Sequence, residues 1–285
     1  MSRAGAAPDA SAPPAFFRAD GELLVPLPRA TSGWGGPDGE GQLRGTAVSG
    51  VLARAAERAA GALEGAGRFR PVRWTLDLFR PGAMIPSTTG ATVVRGGRRL
   101  RLVDAELVQE GRTVARATVL LLATGGPSAG AAWTGGLPET PPAPPPDLHP
   151  DPAEPALYRS DGAWSTDPRA HTNAARKAVW FPATPLVEGE DPTPFEHVAV
   201  LADAANLTSS WGTRGVEFIN ADATLTLTRL PAPGDGVGLV ATSRVETDGL
   251  ATATTTVFDR HGALGSAIVS TLANGAQAVD PARTR

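Results

Sequence analysis

Trp74-Thr-Leu-Asp-Leu-Phe-Arg-Pro81 and Ala223-Thr-Leu-Thr-Leu-Thr-Arg-Leu-Pro231 are two segments with the same alternation of apolar and polar residues, and each ends at a proline. Such alternation is typical of a strand with one buried face. Leu76 and Leu225 hold matching places in the two segments and are 149 residues apart (225 − 76). The two segments are therefore predicted to be the same strand in two copies of one structure.

The register of this repeat is kept through the rest of each half. Residues 110–123 and 261–273 form a second matching pair, in which Val114 and Leu264 are 150 residues apart (264 − 114). The two offsets differ by one residue, which favours a duplicated fold. A duplicated fold often builds its functional site at the seam between its copies, where one copy can keep chemistry that the other has lost.

Length and composition fit two globular domains. The chain has 285 residues, of which 41% are hydrophobic and 19% are charged, so each copy of about 130 residues is long enough to bury a core. Residues 137–155 contain nine prolines in nineteen positions, a composition that excludes regular packed structure. The sequence predicts a disordered tail at 1–15, an N-terminal domain at 16–136, a linker at 137–155 and a C-terminal domain at 156–278.

Several classes of protein are disfavoured by composition. The net charge of −3 gives no support to a nucleic-acid or membrane partner, since both require a basic surface. The chain has no cysteine, which excludes disulfides, thiolate nucleophiles and cysteine zinc sites. The four histidines are scattered without ligand spacing, so no metal is expected. Residues 1–15 lack the apolar core of a signal peptide, and the longest apolar run, Val119 to Ala123, is far too short to span a membrane. We therefore expect a cytoplasmic protein.

Each half has the same predicted order of elements, a helix followed by an antiparallel meander. In the first half, apolar residues recur at three- and four-residue steps from Gly45 to Leu63, which predicts a helix, and its many Ala and Gly residues indicate close packing. A short hairpin is predicted before it at Phe16–Pro28. The predicted strands are Arg70–Arg80, Thr88–Arg95, Arg98–Gln109 and Thr113–Thr124, with turns at Gly96-Gly97 and Glu110-Gly111.

The second half repeats this order with a short strand in front. The predicted helix is Thr193–Trp211 and the predicted strands are Ala178–Phe181, Gly215–Leu230, Gly236–Glu246, Ala251–Asp259 and Ala263–Asn274. One long helix wrapped by a bent antiparallel sheet is the hotdog arrangement. The expected fold class is α+β, a double hotdog whose two sheets join at their edges and so protect the edge strands.

Several motifs resemble a known family, the tandem-hotdog acyl-CoA thioesterases of the type II kind. In the first half they are Trp34-Gly-Gly, the Trp74–Pro81 segment with its Arg-Pro end, Gly97-Arg98-Arg99 and the strand that begins Gln109-Glu-Gly-Arg. In the second half they are Leu201-Ala-Asp-Ala-Ala-Asn206 and the segment Phe218 to Arg229. The likeness spans residues 16–124 and 178–274 and implies hydrolysis of an acyl-CoA or acyl-carrier thioester without a metal or redox cofactor.

Asp203 is the sharpest candidate for catalysis. It is the only charged residue between His197 and Arg214 and stands in an apolar helical run. Burial of a carboxylate is costly and raises its pKa toward the range useful to a general base. Asn206, at i+3, lies on the same helix face and could donate to it. The alternative is a helix carboxylate that faces solvent or donors from the other half; the resemblance favours catalysis, because the family's catalytic Asp falls at this place.

The resemblance also implies two helpers for the attacking water. The family's Thr position corresponds to Asn220, a polar substitute, and the family's Gln position corresponds to Ser270, which is shorter and has no amide donor. Alternatively, Asn220 is an Asx turn at a strand start, and Ser270 is an ordinary strand hydroxyl.

The first helix departs from the family at its start. Relatives commonly carry His-Gly-Gly there, and the N–H groups of those glycines can point at a thioester oxygen. This chain has Arg44-Gly45-Thr46 instead, and Arg44 could bind a phosphate or a carboxylate or simply be solvated. Arg98, in a cluster of four arginines, could also meet the phosphates of coenzyme A or be a solvated strand face. Glu57 is off the repeat register from Asp203 and is expected on the outer face of its helix.

Two functional hypotheses follow from these residues. The first is thioester hydrolysis with Asp203 as base and the acyl chain between helix and sheet near the seam. The second is a non-hydrolytic protein that binds or transforms a thioester or polyketide-like ligand, as a binding module, a cyclase or a dehydratase. The distance of six residues between His197 and Asp203 counts against a dehydratase pair. Family habit suggests a homo-oligomer.

Overall fold

The computed structural model describes residues 15–33, 41–126, 129–133, 141–145, 156–275 and 278–281. Trp34, most of the expected tail and most of the proline-rich linker lie outside them. The two long helices are α1 (Gly45–Gly61) and α2 (Pro194–Ser210). The strands of the first half are β1 (Phe17–Asp20), β2 (Leu23–Pro26), β3 (Phe69–Leu78), β4 (Thr88–Gly96), β5 (Leu100–Gln109) and β6 (Arg112–Ala123).

The second half contains nine described strands. They are β7 (Leu157–Arg159), β8 (Ala178–Phe181), β9 (Trp211–Gly212), β10 (Gly215–Val216), β11 (Phe218–Asn220), β12 (Asp222–Leu227), β13 (Val237–Thr247), β14 (Leu250–Asp259) and β15 (Gly262–Ala273). Both predicted helices and both meanders are confirmed, as is the N-terminal hairpin formed by β1 and β2.

The repeated segments pair with each other at the centre of one eleven-stranded antiparallel sheet. Its order is β4-β5-β6-β3-β12-β15-β14-β13-β8-β7, with β11 also paired to β15. Strand β3 of the first half lies against β12 of the second, with Trp74 opposite Leu225 and Leu76 opposite Ala223. All four side chains are buried. The edges that each half would expose alone are therefore joined into a continuous sheet.

The two helices pack against each other and against one face of this sheet. Ser49 Oγ on α1 donates to the carbonyl of Ala199 on α2 at 2.6 Å, and Trp74 Nε1 donates to Ser49 Oγ at 2.9 Å. A Cβ at Gly50 would collide with Leu186 and Val200. The small residues of α1 thus allow the close approach predicted from its composition.

The predicted strand Gly215–Leu230 is wrong in one respect, because the chain forms three shorter strands there. β10 pairs with β9, β11 pairs with β15, and β12 begins after Ala221. The Ala221 N–H still bonds to the carbonyl of Ser270 at 3.1 Å, and its carbonyl accepts from Leu78 N–H at 2.9 Å. The interruption at Ala221 leaves Asn220 at the very end of β11.

Helix α2 begins with a complete capping box, whereas α1 begins without a side-chain cap. Thr193 Oγ1 accepts from the N–H of Glu196, and Glu196 accepts from the N–H of Thr193. At the start of α1, Arg44 precedes the helix and its side chain makes no capping hydrogen bond. The first amides of α1 are thus left to other acceptors, and this end of the helix faces the candidate site.

Candidate active site between the two halves

A cavity of about 440 Å³ opens where the start of α1 meets the middle of α2. Its lining comes from both halves: Gly45 and Thr46 from α1, Asp203 and Asn206 from α2, and Asn220 from the end of β11. Arg44 lines the same cavity, so six of the eight residues assigned to the site from the sequence lie in its wall.

Asp203 is the centre of this group. Asn220 Nδ2 donates to its Oδ1 at 2.9 Å, and the backbone N–H of Thr46 also bonds to the carboxylate. The flanking residues Ala202 and Ala204 are buried, while Asp203 keeps a partly exposed surface through the cavity that it lines. The carboxylate is therefore oriented by donors from both halves and is still within reach of a ligand.

Gly45 makes room for this carboxylate. A Cβ built on Gly45 would overlap both oxygens and the carboxyl carbon of Asp203. Gly45 is the first residue of α1, so the end of the helix sits directly against the acid. A larger residue here would displace either the helix or Asp203.

The environment raises the pKa of Asp203 above the ordinary value for an aspartate. Burial is the largest cause, and it is opposed by the hydrogen bond from Asn220, the positive charge of Arg44 and the amide of Thr46. Burial disfavours the charged form, whereas donors and cations favour it. Asp203 thus combines raised basicity with an oriented carboxylate, which are the properties of a general base.

Asn206 fixes the strand that carries Asn220. Its Nδ2 donates to the carbonyl of Phe218, the first residue of β11, at 2.9 Å, and its side chain is buried. Asn206 does not bond to Asp203, as the sequence had suggested it could. It ties β11 to α2, and Asn220 two residues later is brought to the carboxylate.

Arginines surround the cavity on the side of the first half. Arg44 is half-buried and donates from Nε to the carbonyl of Thr31 at 2.9 Å. Arg29 and Arg80 also line the cavity, and Arg29 lies over the ring of Phe16 at 5.5 Å. Asp203 is the only acidic residue among the described lining residues. The wall around Asp203 is thus favourable for an anionic ligand.

Two predicted site residues are not brought to Asp203. Ser270 lies on β15 with an exposed side chain, its N–H donates to Asp222 Oδ1 at 2.7 Å, and it is not among the described lining residues of the cavity. Arg98 is exposed in the turn between β4 and β5 and does not line the cavity either. Ser270 cannot support water beside Asp203 from this position.

Two family models match the sequence. The acyl-CoA thioesterase N-terminal domain matches residues 36–122, and the acyl-CoA thioesterase C-terminal domain matches residues 134–268. Together they cover well over half of the chain in the order of its two halves. The chain belongs to the acyl-CoA thioesterase family. This thioesterase is accordingly a hydrolase, and its reaction is the hydrolysis of a thioester. A search of curated proteins found no match.

Solved structures show the fold of the thioesterase. Acyl-CoA thioesterase II TesB2 from Mycobacterium marinum is 17% identical, with coverage of 90% of this chain and 93% of the other and a TM-score of 0.59. The tesB protein of Mycobacterium avium subsp. paratuberculosis is 18% identical, with 90% and 94% coverage and a TM-score of 0.58. A conserved protein of unknown function with a hot dog fold from Alicyclobacillus acidocaldarius is 16% identical, with 90% and 94% coverage and a TM-score of 0.57. The double hotdog is confirmed.

The expectation for Glu57 in this thioesterase is wrong. Glu57 does not face outward, because its Oε2 accepts from Thr193 Oγ1 at 2.5 Å at the start of α2. Burial at this contact raises its pKa, against the effect of the Thr193 hydrogen bond. The periodicity of α1 alone could not predict this contact, because the contact between Glu57 and Thr193 depends on how α1 and α2 cross.

The described part of the thioesterase adds two findings. No group of three or more His, Asp or Glu side chains within it is arranged to hold a metal ion. None of its helices is both long enough and apolar enough to cross a membrane.

Sequence reasoning assigned no role in the site to Arg29 or Arg80, although both line the cavity. Arg80 belongs to the Arg-Pro pair that ends the Trp74–Pro81 segment. This family motif could have indicated that Arg80 lies at the site. Arg29 had no comparable signal, because its place depends on the fold of the chain after β2.

Proposed function

We propose that Asp203 is the general base that activates a water molecule for hydrolysis of an acyl-CoA thioester. The observation that supports this most strongly is the position of the Asp203 carboxylate. It lies at a cavity between the halves, and Asn220 and Thr46 hold it in place. Burial raises the pKa of Asp203, which makes the ionised group a stronger proton acceptor.

Asp203 removes a proton from water as the water oxygen attacks the thioester carbonyl carbon. A carbon–oxygen bond forms, and the carbonyl electron pair moves to oxygen to give a tetrahedral oxyanion. When that oxyanion collapses, the carbon–sulfur bond breaks and the thiolate takes the proton from the carboxyl group of Asp203. The products are a carboxylic acid and the free thiol of coenzyme A, and Asp203 returns to its ionised form.

The N–H of Gly45 is the donor that we assign to the oxyanion. The first amides of an α-helix have no acceptor within the helix, and the helix dipole places partial positive charge there. The N–H of Thr46 bonds to Asp203, so Gly45 is the remaining amide beside the carboxylate. Asn220 orients Asp203 through its Nδ2, and its Oδ1 would accept a hydrogen bond from the water. Ser270 has no part in this mechanism.

The substrate would lie along the cavity with its acyl chain against the apolar wall. That wall includes Leu201, Ala204 and Leu207 from α2 and Ile219 from β11. The arginines of the first half, Arg29, Arg44 and Arg80, would face the phosphates of coenzyme A, because guanidinium groups bind phosphate through paired hydrogen bonds. An acyl-carrier thioester presents one phosphate, so both carriers belong in a substrate panel.

The proposal is tested by Asp203→Asn, which keeps the size of the side chain and its contacts but removes the base. We expect hydrolysis of a panel of acyl-CoAs to fall by about 10²- to 10⁴-fold in kcat, with thermal unfolding still cooperative. Asp20→Asn, at an exposed aspartate of β1, is the matched control and should hydrolyse like the unaltered protein. Full activity of Asp203→Asn on every substrate would remove Asp203 from the mechanism.

A further inference from the structure

Part of the cavity wall comes from residues 278–281, which we call the C-terminal segment. Val279 and Pro281 both line the cavity, whereas Ala278 and Asp280 are not among its described lining residues. Side chains two positions apart in an extended chain point to the same side. The C-terminal segment therefore presents one of its two faces to the cavity.

Backbone contacts hold the C-terminal segment against β10. The N–H of Val279 donates to the carbonyl of Val216 at 3.0 Å, and the N–H of Val216 donates to the carbonyl of Val279 at 2.7 Å. Gly215 has a φ of +86°, and a Cβ built on it would overlap the carbonyl oxygen of Val279. Pro281 favours an extended conformation in the residue before it. The C-terminal segment thus has a defined position that requires a glycine at 215.

The cavity wall beside the C-terminal segment is mainly apolar. Val216, the partner of Val279, belongs to a buried hydrophobic cluster that includes Ala156 and Tyr158, and Leu207 packs against this cluster. All four of these cluster residues line the cavity and come from the second half, whereas the arginines that line it come from the first half. This part of the wall therefore fits an acyl chain better than the phosphates of coenzyme A.

The C-terminal segment lies toward the end of α2, at a distance from the candidate base. Asp203 is seven residues before Ser210, the last residue of α2 (210 − 203), which is about 10 Å along the helix axis. Strand β9 begins at the next residue and pairs with β10. An acyl chain that runs from Asp203 in this direction would meet Val279 and Pro281 only after several methylene groups.

We propose that the C-terminal segment is the end wall of the acyl channel and limits the length of the acyl chain that the thioesterase hydrolyses. The inference rests on the proposed function, because it takes Asp203 as the place of the thioester carbon. A medium-length chain ends against Val279 and Pro281 with its methylene groups buried. A longer chain must displace the C-terminal segment and break its two hydrogen bonds with β10. The substrate class is therefore the medium-chain acyl thioesters.

The first test compares octanoyl-CoA with hexadecanoyl-CoA, each below the concentration at which it forms micelles. For the unaltered protein we expect kcat/KM to be about ten-fold higher or more on octanoyl-CoA. Gly215→Ala pushes the Val279 carbonyl away and opens the end of the channel, so the ratio of hexadecanoyl to octanoyl hydrolysis should rise about ten-fold. Burial of each further methylene favours binding about four-fold, so this rise corresponds to about two methylene groups.

Gly234→Ala is the matched control for Gly215→Ala. Gly234 also has a positive φ, of +79°, but a Cβ there meets no atom within 4 Å. It is not among the described lining residues of the cavity. The control thus carries the same kind of backbone strain without moving the C-terminal segment, and it should keep the chain-length ratio of the unaltered protein.

Two further variants change the wall without straining the backbone at Gly215. Val279→Phe places a larger side chain at the end of the channel and should move the preferred chain from octanoyl toward hexanoyl. Val279→Ala removes two methyl groups there and should move it toward dodecanoyl. These opposite shifts test the inference even where Gly215→Ala fails to fold.

Any of three results would overturn the inference. They are a preference of the unaltered protein for hexadecanoyl-CoA, a chain-length preference that neither Val279 variant moves, and an equal change on every chain length, which would place the C-terminal segment against coenzyme A. Calorimetry with octyl- and hexadecyl-CoA thioethers, which have no acyl bond to hydrolyse, measures the same length preference in binding. This readout separates failure of the end wall from failure of Asp203 as the base.

Discussion

Arg54 occupies on α1 the position that Asp203 occupies on α2. Both helices have seventeen residues, and each of these is the tenth (54 − 45 + 1 and 203 − 194 + 1). Asp203 faces the start of α1, and Arg54 in the same way bonds near the start of α2, where its Nε and Nη2 donate to Glu190 at 2.7 and 2.6 Å. At the helix position of Asp203, the second copy of the site therefore carries a cation, and this cation is paired with Glu190.

This ion pair should contribute to stability and not to activity. Arg54→Met and Glu190→Gln, alone and together, form a double-mutant cycle in which we expect a coupling free energy of about 0.5–1 kcal/mol in chemical unfolding, because Glu190 is partly exposed and solvent screens the pair. Arg54 lowers the pKa of Glu190, mainly by its hydrogen bond, so this stabilisation is present at neutral pH and is lost as pH falls through the lowered pKa. Coupling that is unchanged in acid would contradict the ion-pair interpretation.

Gly45→Ala should disable the site while the helix remains. The added methyl would overlap the Asp203 carboxylate, so Asp203 must move, and a displacement of about 1 Å can reduce turnover roughly 10²-fold. Gly61→Ala is the matched control, because it lies in the same helix and a Cβ there meets no atom within 4 Å. Steady-state kinetics on one acyl-CoA compare the two. Equal activities would show that Gly45 does not set the position of Asp203.

Asn220 should set the pH at which hydrolysis begins. The base acts when ionised, so kcat/KM should rise with pH through the raised pKa of Asp203. The Asn220 hydrogen bond is the largest effect that lowers this pKa. Its removal in Asn220→Ala should therefore shift the rising limb of the pH profile to higher pH. A limb that stays in place, or one that moves to lower pH, would show that another group titrates.

Much of the fold could be predicted from the sequence because the two copies carry the same local signals. Alternation identified β3 and β12 before any pairing was known, and apolar periodicity identified α1. That these two strands lie side by side could not be read from either pattern, since each is satisfied within its own half. The pairing arises from burial of Trp74 and Leu225 across the seam.

The site was less predictable because its geometry depends on details of strand direction. Asp203 was recognisable from the sequence as the one charged residue in an apolar helix. The break between β11 and β12 at Ala221, which places Asn220 at the end of β11, had no corresponding pattern in the sequence. The side of the sheet on which Ser270 lies could not be predicted, because apolar residues of β15 point to both faces of the sheet. Val269 is buried, whereas Ile268 is 44% exposed. Apolar alternation could not tell which face of the strand Ser270 would occupy.

Glu196 should make the stability of the thioesterase fall as pH rises through neutrality. Burial is the main cause that raises its pKa to about 7, with further increases from Glu57 and Glu190 and opposition from Thr193 and Arg54. A carboxyl with a raised folded pKa contributes stability that is fully present below its unfolded pKa and is lost as pH rises through 7. Thermal unfolding between pH 5 and 9 should therefore show a decline in Tm that Glu196→Gln reduces. The exposed control Glu188→Gln should keep the full decline, and a decline of equal size in both variants would assign the effect to another group.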